Sequence, residues 1–152
     1  MDIRIDPVTG PEIIALLEEH LAHMRAITPP ESVHALDLDG LRAPELTMWT
    51  AWRDGALLGC GALKALDPSH GEIKSMRTAT GLRRQGIAAG ILETILSTAE
   101  QRGYRRLSLE TGATDHFAPA RMLYARYGFV PCGPFGDYQP DPHSAFMTKV
   151  MG

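Results

Sequence analysis

Residues 71–103 narrow the possible folds more than any other stretch. An extended run over about 71–79 stops at Thr80-Gly81, and a polar turn carries Arg83-Arg84-Gln85. Gly86 then opens a segment in which Ile87, Ile91, Leu92, Ile95 and Ala99 recur at helical spacing. Gly103 ends that helix, and Leu107 and Leu109 fall in the next strand, 104–111. A strand, a tight turn, a helix and another strand in this order make the chain α/β with a mixed sheet.

The flanking sequence continues the pattern. Ile3 and Ile5 alternate with polar residues as a short strand over 2–6. Pro11 and Glu12 suit the first turn of a helix whose Ile13, Leu17, Leu21 and Met24 share a face until Pro29-Pro30. Residues 31–44 read as a loop holding one short helix. Segments 46–52 and 56–66 are strand-like runs around Arg53-Asp54-Gly55, an Asp-Gly hairpin signal that pairs them antiparallel. A helix from about 119 to 127, a strand opening at Gly128-Phe129-Val130 and a final strand over 145–150 complete the order. In the run before the polar turn, simple alternation puts Ile73, Ser75 and Arg77 on one face and Glu72, Lys74, Met76 and Thr78 on the other.

A chain of 152 residues can withdraw roughly 70% of its unfolded surface from water, so one domain is expected over 1–152. Fifteen Lys+Arg against 18 Asp+Glu give a net charge of −3, with no basic field to hold DNA or RNA, so no nucleic-acid partner is expected. The acidic opening residues lack the apolar core of a leader, and no run approaches the ~18 apolar residues of a spanning helix; a cytoplasmic protein without a membrane partner is expected. Cys60 and Cys132 read as buried free thiols, and His20 and His23 as a solvated face, so no metal is expected.

The chemistry concentrates at Arg83-x-x-Gly86-x-Ala88. A helix start offers unsatisfied N–H groups and partial positive charge to phosphate oxygens, Gly86 and Ala88 keep side chains out of the way, and Arg83 and Arg84 add charge. No Lys-Ser/Thr follows the glycine and there is no three-glycine pattern, so this is neither a nucleotide phosphate loop nor a dinucleotide fingerprint. A pyrophosphate is the remaining guest.

About 35 residues on stands Ala120-x-x-Leu123-Tyr124-x-x-x-Gly128-Phe129, and with both motifs in this order the sequence resembles the GNAT superfamily of N-acetyltransferases. The resemblance implies a single-domain α/β (α+β) fold: a mixed, mostly antiparallel sheet with splayed central strands, flanked by helices. It implies acetyl-CoA as acetyl donor and direct transfer to an amine, on a small molecule or on a peptide or protein, with a homodimer as the common assembly. A bulge in the strand before the turn would free the backbone of Met76, Arg77 and Thr78 for the pantetheine arm, and Arg83, Arg84, Gln85, Gly86, Ile87 and Ala88 would hold the pyrophosphate. Tyr124 matches the tyrosine that protonates the departing thiolate, with Tyr127 in reserve. Glu110 matches a strand glutamate that serves as base in some relatives, and Glu72 competes with it; either could instead neutralise Lys74 or an arginine.

One position departs from the pattern. Where many relatives carry an asparagine that hydrogen-bonds the pantetheine arm, this chain has Phe117, which can pack but not replace those bonds, so grip shifts toward the backbone and Thr111, Asp115 or His116. Ser32 and His34 fall in the region that closes the acceptor side of such folds, where His34 could orient a substrate carboxylate or move a proton. The turn-rich tail 133–138 is expected over the same site. A non-enzymatic acyl-CoA-binding module is the alternative reading.

Overall fold

The computed structural model of the chain describes residues 1–34, 36–79, 81–82 and 85–152; the expectations for Thr80, Arg83 and Arg84 lie outside the described residues. In chain order the elements are β1 (Asp2–Ile5), α1 (Pro11–Ile27), α2 (Leu38–Leu41), β2 (Leu46–Arg53), β3 (Ala56–Asp67), β4 (His70–Thr78), α3 (Ile87–Gln101), β5 (Arg106–Gly112), α4 (Ala118–Arg126), β6 (Val130–Cys132) and β7 (Ser144–Val150). Short 3-10 turns at Pro30–Ser32 and Asp115–Phe117 precede α2 and α4. The seven strands form one sheet in the order β1-β2-β3-β4-β5-β7-β6, antiparallel except for the parallel pair β4 and β5.

Helices cover both faces. The predicted α3 stripe, Ile87, Ile91, Leu92, Ile95 and Ala99, is wholly buried and packs with Leu63, Ile73, Leu107, Leu109, Tyr124 and Phe129. On the other face Ile13, Leu16 and Leu17 of α1 join Leu41, Met48, Cys60 and Ala62. Leu21 and Met24, expected on the same buried stripe, are only half-buried, because the C-terminal half of α1 leaves the core and borders a cavity. Ile5 is exposed although Ile3 packs on the core, as befits an edge strand at its end. The Asp-Gly hairpin forms as expected: Asp54 and Gly55 both have positive φ (52° and 79°), the two-residue loop whose twist matches the strands it joins.

The decisive irregularity lies in β4. Cys60 pairs with Arg77 and Ala62 with Lys74, so Gly61 alone faces both Ser75 and Met76, and Ser75 takes a left-handed φ of 56°. This bulge reverses parity. Ile73 and Met76 both pack against the α3 core, whereas Arg77 reaches toward α1, so the simple alternation expected from sequence fails beyond Ser75. Gly61 permits the arrangement, since a Cβ there would collide with Met76 Sδ and with the Ile91 side chain. β4 and β5 pair only as far as Ile73 and Leu109, although β5 runs on to Gly112. The central strands are therefore splayed.

Candidate active site

A cavity of about 620 Å³ opens where β4 and β5 part. Its walls come from α1, β4, the start of α3, the end of β5, α4 and the tail, and its volume suits a small-molecule site. Met76, Arg77 and Thr78 line it. Ala79 donates its N–H to Leu58 O on β3, so by the alternation of an antiparallel ladder Arg77 also faces β3 while the backbone of Thr78 points into the splay. These are unpaired strand-edge groups of the kind an extended pantetheine arm can bond.

Gly86, Ile87 and Ala88 line the same cavity at the start of α3. Gly86 caps the helix with φ 75° and accepts the N–H of Gly90, which leaves the first-turn N–H groups directed outward. A Cβ on Gly86 would meet nothing within 4 Å; the constraint there is backbone conformation and the open space in front of it. Gln85 is exposed, does not line the cavity, and accepts a weak bond from Arg53. Phe117 lines the channel, and its ring lies over Gly112 so closely that no side chain could be borne there. Thr111 and His116 also line it, but Asp115 does not. His116 meets His23 of α1 with 3.1 Å between their Nε2 atoms, joining opposite walls.

The two glutamates sit in different settings. Glu72, 3% exposed, accepts from Tyr138 at 2.5 Å and from Lys74 at 3.1 Å, and Lys74 also reaches the Tyr138 hydroxyl at 2.9 Å. Glu110 lines the cavity with its pKa pushed up to about 7, first by burial and further by the charge of Glu72, against the pull of Ser144 and Lys74. Tyr124 is buried at the opposite wall with its hydroxyl pKa raised by desolvation, and no hydrogen bond holds that hydroxyl among the described residues. Tyr127 does not line the cavity; its hydroxyl donates to Glu93 at 2.6 Å on the outer side of α3, which removes it as a reserve acid.

His34 lines the cavity, edge-on to Tyr138 and 3.6 Å from Asp141, but Ser32 does not: it is 4% exposed and its hydroxyl binds Asp141 instead. The substrate-contact expectation for Ser32 is thus replaced by a supporting one. Cys60 is fully buried with its thiol pKa pushed up to about 12 by desolvation, donating to Ser75 O, an environment that suppresses a thiolate nucleophile. The sequence offered Lys74 as a charge that either glutamate could neutralise, and Glu72 is the one that does so; it did not offer Tyr138 as the second partner of Glu72. Tyr138 lies 66 residues from Glu72, and only the turn-rich, aromatic character of the tail pointed toward it.

The residues fit acetyl-CoA on the structure's own terms: unpaired strand edge, open helix start and apolar channel are contiguous. Comparison with known proteins points the same way. The model of the Acetyltransferase (GNAT) family matches residues 13–129. The uncharacterized N-acetyltransferase YsnE of Bacillus subtilis is 55% identical over 151 residues, spanning 99% of this chain and 100% of that one. A Klebsiella pneumoniae protein, assigned as a candidate acyl-CoA N-acyltransferase, superposes with a TM-score of 0.80 at 28% identity over 98% of this chain and 96% of its own. A GNAT family acetyltransferase of Elizabethkingia anophelis, solved with acetyl-CoA bound, shares the fold at a TM-score of 0.70 and 20% identity, over 99% of this chain and 97% of its own. With the motif order, the splayed sheet and a match over most of its length, the chain belongs to the acetyltransferase (GNAT) family.

Proposed function

We propose that this chain transfers the acetyl group of acetyl-CoA to an amine by direct attack, both substrates being held in the one cavity. The observation that carries this reading is that Glu110 and Tyr124, an acceptor and a donor of protons, open onto the same cavity as the free backbone of β4. Acetyl-CoA, when bound, supplies an electrophilic carbonyl and a thiolate leaving group.

The chain's own groups divide the remaining work. Met76 and Thr78 offer backbone to the pantetheine arm, and the N–H groups at 86–88, with Arg83 and Arg84 nearby in sequence, offer a seat for the pyrophosphate. Glu110, ionising near neutrality, takes the proton of the incoming ammonium as the N–C bond forms. Glu72 is the weaker candidate, since Tyr138 and Lys74 already engage its carboxylate. Tyr124 keeps its proton through the working pH range and can give it to the sulfur as the C–S bond breaks. Bringing amine and thioester into one cavity supplies much of the acceleration.

Thiol release from acetyl-CoA, followed across pools of amines with mass-spectrometric detection of the acetylated product, tests this reading. Amine-dependent release is expected. Tight acetyl-CoA binding with no release for any amine would replace it with a non-catalytic acyl-CoA-binding role.

A further inference from the structure

Two buried side-chain nitrogens without a hydrogen-bond partner among the described residues belong to residues that line the cavity. They are His20 Nδ1 and Arg77 Nε. The neighbouring polar groups are provided for: His34 Nε2 faces Asp141 at 3.6 Å and Ser144 bonds Glu110. Native interiors pair such atoms, so an unpaired guanidinium N–H beside an unpaired imidazole nitrogen calls for a missing partner with acceptor atoms. The cations there differ in how they are used. Lys74 is engaged by Glu72 and Tyr138, both deeply placed. Arg77 is bound through one nitrogen, Nη2, 3.0 Å from Glu19 Oε1, and its Nε has nothing. The Glu19 side chain is half-exposed on α1, whereas the Arg77 side chain is only 17% exposed.

A guanidinium presents paired N–H groups that match the two oxygens of a carboxylate, and here that fork is half used. We propose that Arg77 receives the carboxylate of a small amine acceptor, and that Glu19 stands in for that carboxylate when no acceptor is present. The register places Lys74 level with Glu110 and Arg77 farther along the splayed strand, so an amine at Glu110 and a carboxylate at Arg77 lie along one wall. The His20 imidazole beside Arg77 is kept neutral, with its pKa lowered to about 4 by burial and by the Arg77 charge, and so adds a hydrogen-bonding group without a competing positive charge. The acceptor class is thus an amino acid rather than a simple or oligocationic amine. This inference rests on the acetyltransferase reading for the reaction but not for the binding.

The experiment compares amino acids with their decarboxylated amines as matched pairs, by thiol release and by calorimetric binding to the CoA-loaded protein, in wild type, Arg77→Gln and Glu19→Gln. For the preferred pair, wild type is expected to favour the carboxylate-bearing member at least tenfold in kcat/KM and in affinity, and Arg77→Gln to erase that preference through KM while the KM for acetyl-CoA changes little. Glu19→Gln separates the proposal from a merely structural ion pair: removing the stand-in should lower KM for the carboxylate acceptor, whereas loss of a structural bridge would raise it. Equal use of both members by wild type, or a preference surviving in Arg77→Gln, overturns the inference. If no amine supports thiol release but carboxylate-dependent binding through Arg77 persists, the transfer reading falls and the binding inference stands. If Arg77→Gln does not fold, the sign of the Glu19→Gln effect decides.

Discussion

At the residue scale the two glutamates separate by environment rather than by identity. Both were legible in the sequence as acids near the splay, but their order of merit was not, because it depends on Tyr138 and Lys74 filling the Glu72 carboxylate while Glu110 is left desolvated. If Glu110 is the base, kcat/KM should rise with pH through about 7, and Glu110→Gln should lower turnover most on the acid side, where unprotonated amine is scarcest. A pH–rate profile checks this; equal loss at every pH would assign Glu110 to structure. Stability carries the opposite sign. A carboxyl whose folded pKa is raised from 4.5 to about 7 favours folding fully below 4.5 and loses that contribution as pH rises through about 7. Glu110→Gln should therefore melt higher than wild type at pH 8 and show no such gain at pH 4.5. Tyr124 makes the companion case. Tyr124→Phe keeps the buried ring against Phe129 and deletes only the proton, so kcat should drop on the order of 10²-fold with the KM for acetyl-CoA nearly unchanged. Rates within about twofold, with chemistry rate-limiting, would leave water as the acid, since Tyr127 is committed to Glu93.

At the element scale, periodicity located nearly every helix and strand, because α3 and the hairpin strands bury regular stripes against one sheet. It missed the parity change in β4, because a bulge inserts one residue without any mark in hydrophobic pattern: Ser75 is polar, and its left-handed φ comes from tertiary pairing with Gly61. A side chain in that conformation costs about 1 kcal/mol or more, while glycine there costs entropy in the unfolded chain of similar size. Ser75→Gly should then be neutral or stabilising by up to about 1 kcal/mol with activity kept, and Ser75→Val should destabilise by more than that. Urea denaturation reads both, and a strongly destabilised Ser75→Gly would show that the hydroxyl, not the backbone, holds the bulge. The turn before α3 is a second such place. Gly86→Val adds a branched side chain at φ 75° facing the cavity, and calorimetry should show acetyl-CoA affinity reduced at least tenfold in a protein that still folds.

At the scale of the whole molecule, the cavity is bordered by elements of both hydrophobic clusters. β4 contributes Ile73 and Met76 to the α3 side, and Ala79 just beyond it packs on the α1 side, while the free edge between them belongs to the cavity. A ligand seated along that edge therefore ties together α1, the splayed strands, α3 and α4, and its binding energy should appear in the stability of the fold and not only in local order. At a free concentration a hundred times its dissociation constant, acetyl-CoA should add about 2.7 kcal/mol. For a chain of this size that raises the melting temperature by about 5–10 °C. Hydrogen exchange gives the spatial counterpart. By the alternation of the ladder, the N–H of Thr78, and of Met76 beside the bulge, face the splay without a strand partner, whereas Arg77 and Ala79 are directed to β3. In the free protein Thr78 and Met76 should exchange much faster than Ala79, and acetyl-CoA should slow them selectively, beyond the uniform slowing that greater global stability confers. A melting shift with no selective protection at Met76 and Thr78 would show that the cofactor binds elsewhere than along the free edge of β4.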